Sequence, residues 1–136
     1  DNNMMNEKLL IADDNGDLRR LLRISLGYGK YRMYEAGTGV EALQIAREQR
    51  PDVILLDVMM PGELDGFQVC EQIKNDPILK GTFVIILTAL TGVGDRTEGN
   101  RVKADFYMQK PFSPLQLIEV IETRHNTMSD KIRDLS

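Results

Sequence analysis

Four short apolar runs in this chain each end in a residue that can do chemistry. Leu9-Leu10-Ile11-Ala12 runs into Asp13-Asp14, and Val53-Ile54-Leu55-Leu56 runs into Asp57. Phe83-Val84-Ile85-Ile86-Leu87 ends in Thr88, and Phe106-Tyr107-Met108-Gln109 ends in Lys110, with Pro111-Phe112 behind it. In an open parallel α/β sheet, ligands sit beyond the carboxyl ends of the strands. Four such ends would gather three carboxylates, a hydroxyl and an ammonium around one crevice. Clustered carboxylates repel one another and need a cation. Oxygen donors suit a hard divalent ion, Mg2+ foremost.

The elements that must hold these residues alternate short apolar runs with longer amphipathic ones. Strands are predicted near 8–12, 32–36, 53–57, 83–88 and 106–109, and helices near 17–27, 39–49, 65–74, 93–103 and 114–124. That alternation argues for βαβ units and a parallel sheet. The first helix carries Leu18, Leu21, Leu22 and Leu26 on one stripe, with Arg19, Arg20 and Arg23 opposite. The second starts after Gly37-Thr38-Gly39 and ends before Pro51. The last opens on Ser113 as N-cap, with Pro114 at the first helical position and Gln116 reaching back.

Two stretches stay open. Residues 91–103 hold three glycines and few apolar anchors, and each interior glycine costs about 1 kcal/mol against alanine. A short, loosely held helix and a loop with one helical turn both fit. Further on, Ile118, Ile121, His125, Met128, Ile132 and Leu135 recur at alternating spacings of three and four, a heptad stripe. Either the helix is continuous along that stripe or it ends near 125, with Ser129 able to cap a further turn.

A length of 136 residues fits one domain, and 42% apolar with 28% charged residues indicates a folded one. A net charge of -4 and a pI near 5.0 give no basic footprint, so no nucleic-acid contact is expected of this chain. No apolar run reaches the length of a membrane span. Residues 1–6 are polar and lack the apolar stretch of a signal peptide, and are read as a disordered lead-in or a remnant of expression. Residues 7–124 are read as the domain, and 125–136 as a helical extension or linker. Cys70 lies at helical spacing with Phe67 and Ile73 and reads as a small buried hydrophobe. One cysteine and one histidine, His125, are too few for a Cys/His zinc site, and nothing near His125 resembles a triad. A lone cysteine agrees with a reducing compartment, so a cytoplasmic location is expected.

The blocks Ile11-Ala12-Asp13-Asp14, Leu55-Leu56-Asp57-Val58-Met59-Met60-Pro61, Ile86-Leu87-Thr88-Ala89 and Lys110-Pro111-Phe112 stand 44, 31 and 22 residues apart, counted from Asp13. In that order they resemble the receiver domain of bacterial two-component response regulators, over roughly residues 7–124. The resemblance implies a flavodoxin-like, doubly wound, five-stranded parallel sheet of order 2-1-3-4-5 with five helices. It implies that Asp57 accepts a phosphoryl group from the phosphohistidine of a sensor histidine kinase or a histidine phosphotransfer protein. Asp13, Asp14 and Asp57 would hold Mg2+, directly or through water, with the backbone carbonyl of Met59 as a further ligand. Thr88 and Lys110 would bind phosphoryl oxygens. Tyr107 matches the family's aromatic switch, whose ring turns inward when Thr88 moves onto the phosphoryl group. Met59 and Leu90 match the positions flanking the path of the hydrolytic water. Output, and a possible homodimer, would use the 93–124 face or the C-terminal helix.

Two departures from the family pattern stand out. Gly62-Glu63-Leu64 makes the loop after Asp57 one residue longer than the commonest form, and Lys103 replaces a usual glycine. The chemistry itself favours the reading, because a carboxylate nucleophile yields an easily hydrolysed acyl phosphate, a reversible mark. The chain is therefore expected to act as a signalling switch, assisting its own phosphorylation and dephosphorylation but not acting on a separate substrate. One rival is an aspartate-based phosphatase of the haloacid dehalogenase class, but that class places a second Asp where this chain has Met59. The other is a receiver-like interaction module that never gains a phosphoryl group.

Overall fold

The computed structural model describes residues 7–27, 30–89 and 93–135, apart from the side chains of 93–95 and 125–135. Strands β1 (Glu7–Ala12), β2 (Tyr31–Ala36), β3 (Val53–Asp57), β4 (Phe83–Thr88) and β5 (Phe106–Gln109) alternate with helices α1 (Gly16–Leu26), α2 (Gly39–Gln49), α3 (Gly66–Asn75), α4 (Val93–Arg101) and α5 (Pro114–Leu135). The sheet has the order β2-β1-β3-β4-β5, with every neighbouring pair parallel, as the family resemblance implied. Most predicted boundaries fall within two residues of the observed ones. The expected lead-in 1–6 and Leu90 lie outside the described residues.

The three central strands are buried on both faces, which is why they read as unbroken apolar runs. Leu10, Ala12, Ile54, Leu56, Val84 and Ile86 face one way, toward Ala42, Leu43 and Ala46 of α2 and Val69, Cys70 and Ile73 of α3. Leu9, Ile11, Val53, Leu55, Ile85 and Leu87 face the other way, toward Leu22 and Leu26 of α1 and Leu117 and Ile121 of α5. Cys70 is fully buried on the α2–α3 side, and burial pushes its thiol up to about 12, the state of an inert core group. Among the described residues no helix is long and apolar enough to cross a membrane.

Local chemistry sets the helix starts. Asn15 Oδ1 accepts from the amides of Asp17 and Leu18, and Thr38 Oγ1 accepts from that of Glu41. Asp65 and Gln68 form a reciprocal capping box on α3. The Ser113 cap on α5 is looser, its hydroxyl 3.5 Å from the Gln116 amide. In α1 the stripe is narrower than expected: Leu21 is 49% exposed. Leu18, Leu22 and Leu26, spaced by four, turn one edge to the core, and Leu21 sits about a quarter-turn away.

Residues 93–101 do form a helix, so the loop alternative is set aside. Of the two alternatives for the last helix the continuous one is observed: α5 runs 22 residues and does not stop near 125. Its heptad stripe is not a free seam at its start, because Ile121 is fully buried and Ile118 packs on the α1–α5 core. At the foot of that docked half, Arg124 is only 5% exposed. It pairs with Glu7 at the start of β1 and donates to the Ile121 carbonyl at 2.8 Å.

The departures from the family pattern are absorbed by the backbone. Gly62 takes φ +99, which turns the lengthened loop, and Leu64 lies over the start of α2 so closely that a Cβ on Gly39 would stand 2.3 Å from its carbonyl. Lys103 keeps the left-handed turn after α4, at φ 64. A side chain there costs about 1 kcal/mol. Lys103→Gly is therefore expected to stabilise the fold by about that amount, measured as a raised midpoint in urea with an unchanged slope.

Candidate functional site

The strand register builds the site. Ala12 pairs with Leu56 across β1 and β3, so Asp13 and Asp57 follow side by side. Thr88 ends β4 beside Gln109, and the Lys110 amide donates to the Thr88 carbonyl at 2.6 Å. Lys110 reaches across the mouth of the sheet, its Nζ 2.7 Å from Asp13 Oδ2 and 3.2 Å from Asp57 Oδ1. Asp13 is fully buried and Asp57 is 5% exposed, while Asp14 lies open beside them. The predicted carboxylates and the ammonium thus converge, and Thr88, fully buried, closes the neighbouring strand.

The electrostatics are unbalanced. Burial pushes the Asp57 carboxyl above the usual range and the charge of Asp13 adds to the rise; Lys110 offsets only part of it. Burial draws the Lys110 ammonium down, but the hydrogen bond to Asp13 and the charge of Asp57 outweigh that and leave it raised. The short bond makes Asp13 the stronger partner of Lys110, which leaves Asp57 the less compensated carboxylate. A cation fits this deficit: oxygens of Asp13, Asp14 and Asp57 lie within 4.8 Å of one another. All three are hard donors, the set that Mg2+ prefers.

Other residues fix these side chains in place. The Asn15 amide donates to Asp13 Oδ1 at 2.9 Å, so both Asp13 oxygens are engaged. By its spacing Arg19 belongs to the solvated side of α1, yet its Nη1 donates to the Asp13 carbonyl at 2.6 Å and its Nε to Glu35 at 3.0 Å. It ties the loop carrying both N-terminal carboxylates to the end of β2. The signal in the sequence is Glu35, a charge one residue before the end of β2. Gly66 lets α3 approach the strand that carries Asp57: a Cβ there would stand 2.2 Å from the Asp57 carbonyl. The Met59 side chain is 62% exposed beside the mouth. Tyr107 pairs with Ile86 two residues before the Thr88–Gln109 pair, so it shares a sheet face with Thr88. Its ring packs on the α2–α3 core with the hydroxyl oxygen buried.

The chain belongs to the response regulator receiver domain family, whose model matches residues 9–122. It is 43% identical over 111 residues to the probable transcriptional regulator ycf27 of Guillardia theta, a match covering 82% of this chain and 42% of that protein. It is 38% identical over 131 residues to the response regulator PleD of Caulobacter vibrioides, covering 95% of this chain and 29% of PleD. The chain thus spans less than half the length of these relatives. Among solved structures, the chemotaxis response regulator CheY4 of Vibrio cholerae superposes with a TM-score of 0.78 at 32% identity, covering 85% of this chain and 96% of CheY4. The BeF3-activated DrrB receiver domain gives 0.77 at 29%, covering 85% and 94%.

Two outcomes follow from the charge balance. A raised carboxyl pKa means that the folded state holds the Asp57 proton more tightly than the unfolded chain does. The ionised group therefore costs stability at neutral pH, and that cost fades as pH falls through the folded pKa of Asp57. Asp57→Asn should raise the melting temperature at pH 7 without Mg2+, with a gain that shrinks toward acid pH, and Mg2+ should stabilise the wild type more than the variant. Lys110→Ala strands the buried Asp13 carboxylate. Urea titration should show a loss of about 2 kcal/mol, below the range for fully buried pairs because Lys110 itself reaches solvent. Mg2+ should restore part of it.

Proposed function

We propose that this chain is a phosphorylation-switched signalling domain, with Asp57 as the phosphoacceptor. The observation that supports it best is the pairing of a buried, under-compensated Asp57 with Asp13, Asp14 and Lys110 at one strand mouth of a receiver-family chain. An Asp57 carboxylate oxygen attacks the phosphorus of a phosphohistidine on a sensor kinase or phosphotransfer protein. The N–P bond breaks, the imidazole leaves with its electron pair, and an acyl phosphate remains on Asp57. Lys110 holds charge at a phosphoryl oxygen, and Thr88 donates to another. Asp13, Asp14, Asp57 and the Met59 carbonyl are the groups that would hold Mg2+, which when bound neutralises the incoming charge. Engagement of Thr88 is relayed to Tyr107 on the next strand and so to the α4–β5–α5 face. Contact with a second copy or an output partner is assigned to that face or to the extension of α5. The chain acts on no separate substrate in this reading.

Incubation with acetyl phosphate and Mg2+, followed by intact mass, is expected to add one phosphoryl group to the wild type and none to Asp57→Asn. Equal labelling of the variant would refute the assignment, and no labelling of either would favour a pure interaction module. Catalytic turnover of a free phosphate ester would favour a phosphatase instead.

The mark should also be long-lived. Met59 stands two residues after the acceptor and cannot orient a water molecule. Met59→Asn supplies an amide that can, and should speed autodephosphorylation by up to about tenfold. The decay of labelled protein in excess Mg2+ checks this, and equal half-lives would remove Met59 from the water path.

A further inference from the structure

Among the described side chains of helix α4, most face solvent. Of residues 96–102 only Gly99 and Val102 are buried. Its C-terminal end is tethered to α3, by Arg101 to Glu71 at 2.9 Å and by the Cys70 thiol facing the Val102 carbonyl at 3.6 Å. Midway along, the contact is with the Tyr107 ring. A Cβ on Gly99 would stand 3.2 Å from Tyr107 Cδ2 and 3.7 Å from Cε2, with Phe67 Cε1 at 4.0 Å. One turn earlier, the Arg96 guanidinium lies 5.9 Å from the centre of the same ring. A cavity of about 340 Å3, lined by Arg96, Gly99, Asn100 and Phe106 among others, adjoins the ring and gives it somewhere to go.

We propose that Gly99 is a positioning residue for Tyr107: by lacking a side chain it lets the ring stand directly against α4, so that α4 registers where the ring is through Gly99 and Arg96. The proposal rests on the reading of Tyr107 as part of the switch. Glycine is a poor choice for the middle of an exposed helix, and alanine would favour the helix. The ring contact supplies the reason for it. An added methyl at 3.2 Å is tighter than ordinary packing, and Phe67 stands close by. The two roles therefore differ in what Gly99→Ala does to the Tyr107 ring. If Gly99 were a mere weakness in α4, alanine would firm the helix and leave the ring alone. If it seats the ring, alanine firms the helix and moves the ring.

The chain contains four tyrosines, so fluorotyrosine labelling with Tyr107→Phe as the assignment control isolates the Tyr107 fluorine signal. The H2O-to-D2O shift of that signal reads ring exposure in the full chain. It should grow from wild type to Gly99→Ala and again to Gly99→Val, with the other three signals unmoved. Adding beryllofluoride and Mg2+ should shift the Tyr107 signal in wild type and leave it unmoved in Gly99→Val. The fluorine signal of protein-bound beryllofluoride should remain in both. Tyr107 exposure in Gly99→Ala equal to that of wild type would overturn the proposal, even if the valine variant fails to fold. Absence of bound beryllofluoride in wild type would instead overturn the Asp57 reading, while the exposure series still decides the place of Gly99.

Discussion

Asp13 and Asp57 stand together because β1 and β3 pair in parallel with Ala12 opposite Leu56, and no rearrangement of side chains can part them. Two carboxylates in nearly complete burial repel each other and lose their hydration. Much of the surrounding architecture answers that one conflict. Lys110 comes from the far side of β4 to place its ammonium between them. The Asn15 amide takes the remaining Asp13 oxygen, and Arg19 anchors the backbone of the same loop. The compensation is incomplete, since Asp57 is still pushed up. A site optimised for stability alone would carry no such residue, and local conflicts of this kind are expected where a protein does chemistry.

The same geometry separates the tasks of the two sheet faces. Asp13, Asp57 and Lys110 continue the alternation that faces α1 and α5, whereas Thr88 and Tyr107 continue the one that faces α2 and α3. The two sets meet at the end of β4, where the Lys110 amide donates to the Thr88 carbonyl at 2.6 Å.

Much of this was legible in the sequence. Strands buried on both faces write themselves as continuous apolar runs, and a chemically active residue at the end of such a run is a strand-end residue. The two halves of the argument support each other in Leu55-Leu56-Asp57 and Ile86-Leu87-Thr88. What escaped depended on partners distant in the chain. The apolar character of Leu21 does not say that Leu18, Leu22 and Leu26 suffice for α1. Arg19 looks like any solvated arginine until Glu35 and the Asp13 carbonyl are placed beside it. The length of α5 was undecidable because Asn126-Thr127 and Ser129 suit either a cap or a helix interior. The turn at Lys103 kept its left-handed form without the glycine that usually marks it.

Arg124 gives α5 a mechanical character. Up to that residue the helix is fixed to the domain, through Ile121 in the core and Glu7 on β1. Beyond it the helix continues as far as Leu135, a stiff arm about 16 Å long at 1.5 Å per residue. A rigid arm converts angle into distance: a tilt of about 10° in the docked half carries the tip through about 3 Å. Because the clamp at Arg124 also fixes the rotational phase at which the arm departs, small adjustments beneath the docked half would reach its end as a swing in a set direction. In such a swing Arg124 would stand where the fulcrum of a lever does.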